Sequence, residues 1–143
     1  MVRYNNWAER LEVYLAECRN RKFEYGQWDC SLFVAEAIER MTGVDLAVDL
    51  RGKYRTAQES RDLLRGLYGT PLLSRAIAEH IAPAAGWERV RVPFAGRADV
   101  VLLTVNHQRA LGLVAFDGMN VLAAGQLGLV SVPKDKAVKA WRF

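Results

Sequence analysis

Asp29-Cys30-Ser31 is the one place in this chain where residue types and position together suggest covalent chemistry. Leu32, Phe33, Val34, Ala37, Ile38 and Met41 follow at helical spacing, so Cys30 is expected in the first turn of a helix. A helix start carries partial positive charge and free N–H groups. That field is expected to lower the thiol pKa and favour the nucleophilic thiolate. The same N–H groups would hold an oxyanion as a substrate carbonyl is attacked. Asp29 also suits the helix N-cap, so the pattern equally fits a half-buried cysteine beside a capping residue, and spacing leaves both readings open. A thiol hydrolase further needs a base to take the thiol proton and return it to the leaving amine. The chain has two histidines. His107 falls in the turn Asn106-His107-Gln108-Arg109 and is the weak candidate base. His80 ends an expected helix, where an imidazolium suits the dipole and the role is structural.

The remaining chemistry is sparse. Cys18 lies on the apolar stripe Trp7, Leu11, Tyr14, Leu15, Cys18 and reads as a small core residue. No CxxC pair or Cys/His cluster at zinc spacing occurs, so neither a metal nor a cofactor is expected. Two cysteines make no disulfide framework.

The elements that position Cys30 can be read in order. The first helix starts at Trp7 with Asn6 as its cap. A turn-like stretch, residues 20–28, follows, in which Gly26 permits close backbone approach and Trp28 could wall a cleft. The second helix runs from Cys30, capped by Asp29, to a stop at Gly43. After an irregular loop, residues 44–55, Thr56 caps a third helix through Leu67, with Glu59 in the capping-box position. Pro71 suits the first turn of a fourth, Leu72 to His80. The second half reads as strands: 99–105, 110–116, a turn at Asp117-Gly118, then 121–124 and 127–132 split by Gly125-Gln126, with 138–142 as an edge strand. Helices followed by a meander predict one α+β domain over residues 1–143, with the N-terminal helices packed on a C-terminal antiparallel sheet.

Of the 143 residues, 51% are hydrophobic and 25% charged, a globular balance. The net charge of +4 is spread through mixed-sign segments such as Glu9-Arg10-Leu11-Glu12. No basic run follows a nucleic-acid backbone, so specific nucleic-acid binding is not expected. No apolar stretch is long enough for a membrane span, and Met1 to Trp7 is too polar for a signal peptide.

The segment Phe23-Glu24-Tyr25-Gly26-Gln27-Trp28-Asp29-Cys30-Ser31-Leu32-Phe33-Val34 resembles the nucleophile motif of the NlpC-type cell-wall peptidases, papain-like thiol hydrolases that cleave peptidoglycan peptides. The resemblance makes Cys30 the nucleophile, with Asp29 and Ser31 as its motif neighbours. Residues 43–54 and the ending Ala140-Trp141-Arg142 resemble a smaller group of tailed-phage proteins with this fold. Arg97 to Leu102 and Leu111-Gly112-Leu113-Val114 are similar to the two strands that follow the motif in the peptidases.

The resemblance also implies a histidine just before the second of those strands, and a polar group on the next strand to orient it. The matching residues are Ala110 and Ala123, and alanine does neither job. What is implied is a papain-like fold that kept its nucleophile position in a phage or phage-like particle tail, as a structural or assembly protein. Its partners would be other tail-tip or hub proteins. The protein would be made in the bacterial host cytoplasm and carried in the particle tail. The alternative is an active cysteine endopeptidase acting on peptidoglycan during cell-wall penetration.

Overall fold

A computed structural model describes residues 1–143 and has four helical regions on one antiparallel sheet. The helices are α1 Trp7–Cys18, α2 Cys30–Thr42, α3 Ala57–Tyr68, α4 Leu73–Ala76 and α5 Ala82–Ala85, the last two joined by a π-turn, Ile77–Ile81. The strands are β1 Glu88–Val90, β2 Val100–Val105, β3 Gln108–Val114, β4 Asn120–Gly125, β5 Gly128–Pro133 and β6 Ala137–Arg142. The spatial order is β1-β6-β2-β3-β4-β5 with every neighbour antiparallel, so the class is α+β.

Local capping fixes the helices on either side of the loop. Asp29 caps α2, and Gly43 ends it with φ +79°. Thr56 Oγ1 accepts from the Glu59 N–H at 3.1 Å, while the Glu59 carboxylate accepts from the Arg55 N–H at 2.8 Å. Asn6 does not cap α1: its Oδ1 accepts from Arg10 Nε at 2.9 Å instead. The fourth helical stretch starts later than the position of Pro71 suggests, at Leu73, and continues through Pro83 to Ala85. A proline inside a regular helix lacks an N–H and crowds the carbonyl four residues back. The wider π-turn immediately before Pro83 relieves that conflict. His80 therefore lies inside a continuous helical stretch and not at its end.

The two faces of the sheet bury different sets. α2 lies on β3 and β4, with α1 on α2. Leu11, Tyr14, Cys18, Trp28, Phe33, Ile38 and Met41 meet Val100, Leu102, Leu111, Leu113 and Trp141 there. On the far face Ala95, Val101, Leu103, Val114, Val121, Ala123 and Ala140 form a second cluster, flanked by Val90, Val92, Ala110, Val132 and Ala137. A third, small cluster joins Leu32 and Ala35 of α2 to Ala47, Leu50, Tyr54, Leu64 and Ala76. Trp28 walls no cleft: it is 1% exposed in the main core, and its Nε1 donates to Tyr14 Oη at 3.3 Å.

Strand 137–142 is an inner strand, contrary to the edge position expected of it. β6 returns to pair with β2, through a bulge between Leu102 and Leu103, and the short β1 covers its other side. No helix is long and apolar enough to cross a membrane.

Candidate functional site

Cys30 is the first residue of α2 and packs on the main core, so the expected helix-start position is met. Asp29 beside it is 3% exposed and hydrogen-bonded at both oxygens. Its Oδ1 accepts the Leu32 N–H at 3.0 Å, the N-cap bond. Its Oδ2 accepts the Gly26 N–H at 3.1 Å and the Tyr54 hydroxyl. Gly26 has φ +79°, and a Cβ there would stand 1.9 Å from the Tyr54 carbonyl oxygen, so only glycine fits this crossing. The Gly52 N–H closes the arrangement by donating to the Gly26 carbonyl at 2.8 Å. The loop of residues 44–55 is thus fastened to the turn before α2. Burial, and then the Asp29 charge, push the Tyr54 hydroxyl pKa up, keeping it a donor.

The thiol is not activated. Desolvation by burial pushes the Cys30 pKa up, and the Asp29 charge adds to the rise. The Leu111 backbone N–H and the Ser31 hydroxyl, at 4.0 Å from Sγ, act in the opposite direction and do not offset it. An ordinary cysteine is only a few per cent thiolate at neutral pH, and Cys30 is less. The lowered pKa expected from the helix start is therefore overturned: the largest influence on this thiol is the removal of the thiolate from water.

No side-chain base reaches the thiol. β3 presents Leu111 to Cys30, while Ala110 pairs with Leu103 and packs toward the far face of the sheet. Ala123 pairs with Val130 and lies in the same far-face cluster. A longer side chain at either alanine would point away from the sulfur. His107 and Asn106 form the exposed two-residue turn between β2 and β3, with φ +64° and +51°. His107 is four residues from Leu111, about 13 Å at the rise of a strand. His80 is exposed and packs beside Tyr68, with ring centres 5.6 Å apart. No group of three or more His, Cys, Asp or Glu side chains gathers where it could hold a metal ion.

A second buried carboxylate organises the other end of the sheet. Asp99, 1% exposed, accepts from Arg142 Nε at 3.1 Å, Arg142 Nη2 at 2.7 Å and the Gly96 N–H at 2.8 Å. The adjacent Trp141 is 2% exposed. The Arg97-Ala98-Asp99 and Ala140-Trp141-Arg142 segments, read separately in the sequence, are one unit in space. Two surface grooves lie elsewhere than Cys30: one runs between Tyr4, Arg40 and Arg51, the other between Trp7, Arg97 and Phe143.

Fold and site together define an α+β domain in which a half-buried cysteine at a helix start lies against an antiparallel sheet, with no histidine among its hydrogen-bond partners. The family described as "Domain of unknown function (DUF6950)" matches residues 2–143, and the chain belongs to that family. No curated protein matches it.

Proposed function

We propose that this chain is a degenerate papain-like module of the NlpC type, serving as a structural or assembly component of the tail tip or hub of a phage or phage-like particle. The observation that carries the loss of catalysis is the isolation of Cys30: its pKa is raised by burial and no imidazole stands within reach. Losing one member of a catalytic group that works as a unit forfeits rate on the order of a thousandfold or more. Asp29, the residue most easily mistaken for catalytic machinery, has both carboxylate oxygens engaged, by Leu32, Gly26 and Tyr54. The tail assignment rests on the sequence resemblance of residues 43–54 and 140–142. The order of the fold, a cysteine-led helix on an antiparallel sheet, is compatible with it.

The test has two arms. The purified chain is incubated with muropeptides, and Cys30→Ala and His107→Ala are introduced into the particle. No turnover, with both variants still infectious, is the expected result. Turnover abolished by both substitutions would overturn the reading and make His107 the base of a working peptidase. Turnover seen only in assembled particles would also overturn it, by placing the base on a neighbouring chain.

A further inference from the structure

Arg3, Arg97 and Arg142 line, together with Asp99, a surface groove of about 280 Å³ walled by Trp7 and Phe143. Asp99 is saturated by Arg142 and the Gly96 N–H. Arg3 lies between two aromatic faces, 4.6 Å from the Trp7 ring centre and 4.4 Å from that of Phe143, and comes no closer than 3.9 Å to Asp99. Arg97 is exposed and has no partner within the chain. Among the lining side chains three cations stand against one anion, and Arg97 is the cation with no carboxylate beside it.

A second observation falls at the same corner. Among all buried side-chain nitrogens and oxygens, only Arg3 Nε and Trp87 Nε1 lack a hydrogen-bond partner. Both residues flank Phe143, Arg3 over its ring and Trp87 with ring centres 6.1 Å apart. Of these two, Arg3 lines the groove, as does the unpaired Arg97, while Trp87 lies behind Phe143. The other groove differs. Three of its four cations are paired with carboxylates, Arg21 to Glu36, Arg40 to Glu17 and Arg51 to Asp45, each at 2.9 Å, and the fourth, Arg10, donates to Asn6 Oδ1 at 2.9 Å and lies over the Tyr4 ring.

We propose that the groove between Trp7, Arg97 and Phe143 receives an acidic side chain of a partner protein, with Arg97 and Arg3 as the receiving cations and the two aromatic rings packing an apolar neighbour of that acidic residue. The planar guanidinium fork matches a carboxylate in geometry as well as charge. A nucleic-acid backbone is followed by cations spaced along its strand, whereas these converge on one point. Asp99 on the groove lining also favours a singly charged carboxylate over a dianionic phosphate. The site is separate from Cys30 and does not depend on whether the thiol is reactive.

The full chain is titrated with a short N-acetylated peptide of alternating Glu and Leu, followed by tryptophan fluorescence and calorimetry. The comparison ligands are the matching Gln-Leu peptide, inorganic phosphate and a thymidine oligonucleotide. Saturable binding of the Glu-Leu peptide is expected, weakened about tenfold or more in Arg97→Ala and unchanged in Arg40→Ala. Because Arg97 has no partner inside the chain, Arg97→Ala is also expected to melt like the parent, which separates loss of the site from loss of the fold. Absence of saturation, equal affinity in Arg97→Ala, or equal binding of the Gln-Leu peptide would overturn the proposal. Phosphate or oligonucleotide bound as tightly as the peptide would overturn it too, in favour of a general anion or nucleic-acid site.

Discussion

Asp29→Ala tests whether the residue beside the cysteine is a structural clasp. The substitution removes the acceptor of three donors at once: the Leu32 N–H, the Gly26 N–H and the Tyr54 hydroxyl. Loss of an N-cap costs about 1 kcal/mol. Each of the other two donors, left buried without its charged partner, costs about 1–3 kcal/mol. Removing the carboxylate also relieves the burial of a charge, which acts in the other direction. The net expected loss is about 3 kcal/mol, a large fraction of the 5–15 kcal/mol typical of a domain. Urea unfolding followed by tryptophan fluorescence measures it, and Trp28, in the main core beside the clasp, reports directly. Tyr54→Phe deletes only one of the three bonds and should cost about 1.5–2 kcal/mol. The double variant should fall short of additivity by about 1 kcal/mol, because the two changes remove the same bond. An Asp29→Ala loss below about 1 kcal/mol, or strict additivity with Tyr54→Phe, would refute the clasp. Asp29→Asn adds a chemical readout. The Asp29 charge helps raise the Cys30 pKa, so its neutralisation should shift the pH dependence of thiol alkylation downward. A catalytic Asp29 would instead be needed for whatever reactivity Cys30 has.

Two further outcomes are expected. Trp141→Ala should cost about 3–5 kcal/mol in urea unfolding, since the ring is 2% exposed in the main core; a loss under about 1 kcal/mol would mean that the residue is not docked. Stability should also decline in alkali. Burial pushes up the pKa of Cys18 and Cys30, and of Tyr14 and Tyr54, so the folded chain holds these protons more tightly than the unfolded chain. That contribution is complete below the unfolded-state values and is lost as the pH rises, from about 8.5 for the thiols and about 10 for the phenols. Urea midpoints measured across this range should fall, and Cys30→Ser should flatten part of the first decline; a level profile through pH 10 would contradict the burial of these groups.

Features set within a short stretch of chain were readable without the fold. Asp29 and Gly43 mark the ends of α2, and Thr56 marks the start of α3, because caps satisfy backbone groups within one turn. The meander β2 to β5 was legible from apolar runs separated by Asn106 to Arg109, Asp117-Gly118 and Gly125-Gln126, with β3 starting two residues earlier and β5 one residue later than read, and the α+β class followed from that order. The sequence also located Cys30 at its helix start. Tertiary structure decided the rest. β1 is three residues long, and β6 becomes an inner strand only because β1 and β2 approach it from distant parts of the chain. The π-turn before Pro83 is an adjustment no apolar period announces. The face on which Ala110 and Ala123 lie depends on cross-strand register, and a shift of one residue would reverse it. Asp29 finds Tyr54, and Asp99 finds Arg142, across 25 and 43 residues, separations that no local pattern encodes. The Cys30 pKa turns on the same distinction. The helix-start position is local and readable, whereas the desolvation that raises the pKa comes from groups brought together by the whole fold.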